Sequence, residues 1–228
     1  MNGDKVSGSP PAQRLTQLVN VRVSPGEAAR WSAAAAAAGL SRPLIVTDPG
    51  VKAVGILQQA LDALPGLSVA VYDQTPSNPT EAAVRAAVAV YHAQGCDGLI
   101  AVGGGSAIDC AKGVAIAATH EGPLKTYATI EGGSPKITER VAPLIAVPTT
   151  AGTGSETQSF ALISDSKTHV KMACGDKKAS FRIALLDPLL TVSQPQMVTA
   201  LTGIDAIAHA LDDARIPKSA VSYIPNSP

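Results

Sequence analysis

Two glycine-rich stretches of this chain hold residues that could bind a phosphate. Gly103-Gly104-Gly105-Ser106 follows an apolar run at residues 99–102 and opens a helical pattern. Amides at a helix N-terminus offer unpaired N–H donors at the positive end of the helix dipole, and glycine lets a phosphate approach the main chain. The run is not the Rossmann G-x-G-x-x-G, whose last position would fall on Ile108, and no Walker A lysine follows it. A phosphate cradle and a plain strand-to-helix turn both fit these four residues. The second stretch, residues 149–155 (TTAGTGS), leaves another apolar run at 144–147. Ligands of open α/β sheets sit at the carboxyl ends of strands, so two such loops point glycines and hydroxyls at one crevice.

Asp48 ends the first strand of the alternating section. A carboxylate there can accept from a ribose 2′-hydroxyl and would repel a 2′-phosphate, and it can equally form an Asx turn before a helix. Asp205 and His209 are four apart in a helical segment and share a face. One carboxylate and one imidazole there can give two ligands to a divalent metal, or make an ordinary surface pair. His92, His120 and His169 lack ligand spacing. Lys171 alternates with apolar neighbours, the pattern of a strand with one solvated face. Ser106 and Ser155 lack the G-x-S-x-G elbow of a hydrolase nucleophile.

The elements that must position these residues alternate along the chain. A helix is expected over residues 26–38, stopped by Gly39. A strand at 44–47 ends at Asp48-Pro49-Gly50, and Val51, Val54, Leu57, Leu61 and Leu64 then recur at helical spacing. A strand at 67–72, a helix from Thr80-Glu81 to Gly95 and a strand at 99–102 follow. The next helix is read as starting at Ser106, with Asp109 three residues on as in a capping box. Runs at 144–147, 160–164, 169–173 and 183–186 read as strands, some of them forming a β-ribbon. Segments 189–192, 196–201 and 202–212 read as helical. Alternation of this kind predicts an α/β domain with a mostly parallel sheet and helices on both faces, followed by the start of an all-helical domain. The expected organisation is a flexible N-terminus (1–13), the α/β domain (14–188), the first part of a helical domain (189–212) and a proline-containing tail (213–228).

Composition narrows the function class. Eighteen Lys+Arg balance 18 Asp+Glu over 228 residues, so no basic field invites nucleic acid. The apolar fraction of 46% is globular, and only 3% is aromatic, so the core is built from small aliphatic side chains. No apolar run is long enough to span a membrane. The polar start lacks a secretory signal, and three scattered cysteines read as free thiols of a reducing, cytoplasmic compartment.

Four blocks taken together resemble one family: GGGSAIDCAK at 103–112, PTTAGTGSE at 148–156, LDPLL at 186–190 and TGIDAIAHAL at 202–211. In that order and spacing they are similar to the iron-containing (group III) alcohol dehydrogenases. The resemblance implies a dinucleotide-binding α/β domain and a helical domain holding the metal, for NAD-dependent interconversion of an alcohol and its aldehyde. It implies that Gly103, Gly104, Gly105 and Ser106 hold the pyrophosphate and that Thr149, Thr150 and Thr153 flank the cofactor. It further implies that Asp48 contacts the ribose, that Asn78 lies near the adenosine, and that Lys171 faces the cofactor cleft. Asp205 and His209 match the first two ligands to Fe2+, with Zn2+ as an alternative. The family draws two further histidines from later helices, and no histidine follows His209 here. The expectation is therefore an incomplete metal site, a partly exposed apolar helix face and self-association of the chain. Two rivals use the same residues. One is an inactive nucleotide-binding fragment. The other is a glycerol dehydrogenase-like enzyme sharing the GGGS loop, against which the PTTAGTGSE block speaks.

Overall fold

Alternation of apolar and turn-forming residues becomes, in the computed structural model, a six-stranded sheet with helices on both faces. The structure describes residues 19–26, 30–165, 168 and 170–215, with the side chains of the last helix described as far as Leu211. The sheet comprises β1 (Asn20–Val23), β2 (Pro43–Val46), β3 (Ala70–Tyr72), β4 (Gly98–Gly103), β5 (Leu144–Pro148) and β8 (Ile183–Leu186). All pairs are parallel, in the order β1-β8-β5-β4-β2-β3. The chain steps outward from β2 to β3 and then returns to place β4 on the other side of β2. That reversal opens a crevice at the strands' carboxyl ends, where open α/β sheets bind ligands.

Successive residues of a strand face opposite sides of a sheet, and the two cores follow this rule. Leu44, Val46, Leu99, Ala101, Leu144 and Ala146 pack toward α4 (Glu81–Ala93) and α5 (Gly105–Ala117). Ile45, Ile100, Val102, Ile145 and Val147 pack toward α1 (Trp31–Ala38), α2 (Pro49–Ala53) and α3 (Ile56–Asp62). Covered on both faces, β2, β4 and β5 are buried throughout, which is why they read as unbroken apolar runs. A second, two-stranded antiparallel sheet joins β6 (Phe160–Ser164) to β7 (Lys171–Gly175) and packs on α5. The chain then runs into the long helix α6 (Gln196–Arg215).

Several sequence expectations are corrected. Gly26 adopts φ 83° in a turn, so the helix expected from there begins at Trp31. It does stop at a left-handed Gly39. Gly55 (φ 82°) splits the helix expected across residues 51–64 into α2 and α3. Strand β3 starts at Ala70, not 67, and β7 at Lys171, while His169 lies outside the described residues. The two helical segments at 196–201 and 202–212 are one helix that runs through Arg215, past the expected end of the helical region at 212. Residues 189–192 correspond to a short 3-10 turn, Pro188–Thr191. Strand β1 was not expected at all: four residues, NVRV, at a sheet edge have too little periodicity to announce themselves. The expected flexible segment 1–13 and most of the tail lie outside the described residues.

Candidate functional site

A cleft of about 920 Å³ opens at the carboxyl ends of β2, β4 and β5. On its floor the N-terminus of α5 presents the glycine turn. Helix α5 starts at Gly105 with Gly104 as its N-cap, and no side chain caps that first turn. This corrects the reading of Ser106 as the start of a capping box. Ser106 Oγ instead donates to the carbonyl of Ser77, tying the turn to the 75–79 loop. The helix is 13 residues long, so its uncapped amides carry the full dipole of an anion site.

Packing explains why glycines stand here. A Cβ at Gly104 would lie 3.3 Å from Thr150 Cγ2 and Oγ1, and one at Gly105 would lie 3.1 Å from Ser155 Oγ and 3.3 Å from Thr153. The cradle turn and the threonine loop approach so closely that side chains would fill the space between them. Gly103 serves differently. It sits beneath the cleft lining, with φ +152°, and its Cβ would meet Ala107 Cβ at 2.7 Å and Asp48 Oδ2 at 3.1 Å. The structure thus assigns Gly103 to close strand–helix packing and not to the cleft wall.

Thr149, Thr150 and Thr153 line the cleft, and the Oγ1 of Thr150 is buried without a hydrogen-bond partner among the described residues. Buried hydroxyls are nearly always paired, and this one lies against the glycine turn at Gly104. Asp48, Asn78 and Lys171 line the same cleft. Asp48 is already partly engaged, because its Oδ1 accepts from Val51 N at 2.9 Å and caps α2. The turn-forming alternative for Asp48 is thus realised, in a residue that also lines the cleft. A dinucleotide fits this set: an uncapped helix N-terminus behind glycines, an orphaned hydroxyl, and an acid at the end of β2.

At the far wall α6 brings Asp205 and His209 to the cleft. His209 Nε2 stands 3.7 Å from Asp205 Oδ1, and both side chains are about half exposed. No group of three or more His, Cys, Asp or Glu donors is assembled among the described residues. Two donors fall short of the three protein ligands a catalytic metal normally has, so this set alone does not fit a metal centre.

The structure also reveals a residue pair that sequence reasoning missed. Asp109 lines the cleft, and Lys112, one turn on, is fully buried with its Nζ 3.0 Å from Asp109 Oδ1. Burial pushes the Asp109 carboxyl up and the Lys112 ammonium down from their ordinary pKa ranges. The signal was present: AIDCAKGVAIA is apolar on every side, and a helix of that kind is buried all round, so its two charges had to be buried together. The three cysteines are free, as expected, with Cys110 and Cys174 buried. No helix among the described residues is long and apolar enough to cross a membrane.

The family model described as iron-containing alcohol dehydrogenase matches residues 19–188. The chain is 57% identical over 181 residues to 4-hydroxybutyrate dehydrogenase from Cupriavidus necator, covering 78% of this chain and 47% of that protein. Its fold is similar to that of 1,3-propanediol oxidoreductase (TM-score 0.79, 36% identity, 84% of this chain and 50% of the other). It is equally similar to that of sulfoacetaldehyde reductase from Bifidobacterium kashiwanohense, solved in complex with NAD+ (TM-score 0.79, 31% identity, 86% of this chain and 51% of the other). The chain spans about half the length of the curated relatives it matches.

Proposed function

The chain belongs to the iron-containing alcohol dehydrogenase family, and from that footing we propose that it provides the nucleotide-binding part of an NAD-dependent alcohol dehydrogenase or aldehyde reductase. The observation that carries the reading is the convergence of two glycine-bearing strand ends on one cleft, with the orphaned hydroxyl of Thr150 between them. The amides of Gly105 and Ser106 would hold the pyrophosphate at the α5 N-terminus. Thr149, Thr150 and Thr153 would close over it, with Asn78 and Asp48 on the adenosine side and Lys171 across the cleft. The Oδ2 of Asp48, which has no hydrogen-bond partner among the described residues, would accept from a ribose 2′-hydroxyl and disfavour a 2′-phosphate. Bound NAD would supply the hydride acceptor, and the residues described here would bind and orient it.

The substrate class follows from the relatives. A small primary alcohol, such as the diol or ω-hydroxy acid that two of them are named for, would enter from the α6 side of the cleft. The family's description as iron-containing carries the further expectation that Asp205 and His209 contribute to an ion that polarises the alcohol oxygen. Among the described residues that donor set is incomplete.

Calorimetric titration of the purified chain with NAD+ and NADP+ tests the cofactor reading, and an NADH-formation assay with 1,3-propanediol and 4-hydroxybutyrate tests turnover. Saturable NAD+ binding, tighter than NADP+ binding, is the expected result. A chain that binds neither dinucleotide overturns the proposal, and binding without turnover restricts it to nucleotide binding.

A further inference from the structure

We propose that Lys112 is a positioning residue for the cleft: its buried ammonium ties the main chain at Gln158 and Phe160 to helix α5 and thereby holds the 149–160 segment against the glycine cradle. The inference rests on the dinucleotide reading of that cleft for its function, and on geometry alone for the tether.

A fully buried ammonium is expensive. Its lost hydration is offset only in part, and an apolar side chain of similar volume often does as well or better in its place. What the charge adds is three directed donors; two hydrogen bonds run to backbone carbonyls, and Asp109 stands within ion-pair distance. Lys112 Nζ lies 3.0 Å from Asp109 Oδ1, reaches the carbonyl oxygen of Gln158 at 3.4 Å and makes a short hydrogen bond to that of Phe160. The ring of Phe181, with its centroid 5.8 Å away, covers the ammonium. Two of the three contacts therefore leave the helix, and both go to one stretch of backbone.

That stretch is the end of the connection between β5 and β6. Its start is tied down separately, where Thr149 N donates to the carbonyl of Gly103 at 3.0 Å. Between the two tethers lie Thr150, Thr153 and Ser155, the residues that close on Gly104 and Gly105 with only 3.1–3.3 Å to spare for a Cβ. Such clearances hold only if both ends of the segment are fixed to the body that carries the glycines. Lys112 supplies the second fixation from the same helix whose first turn is the cradle, so cradle and loop are referred to one rigid element. Asp109 serves the tether from its own side, holding the ammonium one turn below the cleft floor.

The test compares the full chain with Lys112→Met, which keeps the stem and removes the donors, and with Lys112→Gln, which keeps a shorter donor. NADH affinity is measured by fluorescence well below each variant's melting temperature, and amide hydrogen exchange is followed across the chain. Loss of charge-assisted hydrogen bonds predicts NADH binding weaker by about tenfold or more in Lys112→Met, with Lys112→Gln between it and wild type. Exchange should quicken in residues 149–160 while β2 and β4 keep their protection. Wild-type affinity in a folded Lys112→Met chain, or protection lost evenly over the whole chain, overturns the proposal. Should Lys112→Met fail to fold, the same two outcomes are read from Lys112→Gln. A wild-type chain that binds no NADH refutes the dinucleotide reading instead, and the exchange pattern then decides the tether.

Discussion

Helices α5 and α6 both reach the same cleft, yet they are held in opposite ways. Every residue of α5 from 107 to 117 is buried, whereas Met197, Leu201, Ile204, Ile207 and Leu211 of α6 are each more than half exposed. Helix α6 comes close to the α/β body at Gly152, where a Cβ would stand 2.0 Å from the carbonyl oxygen of Thr202. The cradle side therefore has its packing within the described chain, and the Asp205/His209 side lies on a helix whose large apolar side chains are exposed among the described residues. The difference teaches which wall of the cleft is held by its own packing. The proposed dinucleotide site draws only on elements packed within the described residues, while a metal centre needs donors and burial that α6 does not find among them.

The sharpest way to break this contrast is at the cradle. In Gly104→Val the branched side chain must occupy space where even a Cβ would lie 3.3 Å from Thr150. We expect NADH affinity to fall by about 100-fold or more, roughly 2.7 kcal/mol, with an unchanged far-UV circular dichroism spectrum. Wild-type affinity would mean that the turn shapes the fold and not a ligand. At the other side, calorimetry with Fe2+ under anaerobic conditions, or with Zn2+, should find binding no tighter than about 10 µM, near −7 kcal/mol, and little alcohol dehydrogenase turnover by the isolated 228-residue chain. His209→Ala should remove that residual binding. Sub-micromolar affinity would show that donors beyond Asp205 and His209 complete the set.

How far the sequence told this in advance depends on length and period. The glycine turn and the start of the threonine loop were legible because β4 and β5 are buried on both faces and read as continuous apolar runs, the first stopping at Gly103 and the second at Pro148. Helix α5 was legible as an element, but its start was displaced by one residue, because Ser106 has the chemistry of a cap and spends it on the Ser77 carbonyl instead. Helices α2 and α3 merged in the sequence because Val54 continues the spacing through Gly55, whose positive φ breaks it. Lys112 passed unnoticed because a lysine three residues from an aspartate on a helix usually marks a solvated face. Only the apolar composition of the other positions distinguishes the buried case.

A smaller effect separates the two roles of Asp48. Asp48→Asn keeps an oxygen to accept from Val51 N and removes the charge facing the cleft. We expect it to narrow the preference for NAD+ over NADP+ by several-fold to about tenfold, about 1.4 kcal/mol, with little change in stability. Asp48→Ala should narrow the preference equally and also lose about 1 kcal/mol of stability with the cap. Parallel titrations and urea unfolding of both variants check this, and an unchanged cofactor ratio in Asp48→Asn would leave Asp48 as a helix cap alone.

Alkaline pH should probe the packed side through its thiols, since no cysteine follows Cys174 and none lies on α6. Burial pushes Cys110 of α5 from 9.0 up to about 12, and Cys174 of β7 to about 12 as well. In the unfolded chain both thiols ionise from about pH 9, while the folded chain keeps them protonated until about pH 12. Folded pKa values raised in this way contribute stability that is complete below pH 9 and lost as pH rises toward 12. Within that window each thiol steepens the fall by up to about 1.4 kcal/mol per pH unit. Cys110→Ala removes one of the two terms, so its unfolding free energy, from urea titrations between about pH 8.5 and 11, should decline with a shallower slope than wild type. The offset between the two proteins at pH 7 reports only the lost packing of the sulfur. Parallel slopes would mean that Cys110 ionises in the folded chain as readily as in the unfolded one, and that the core around α5 admits water.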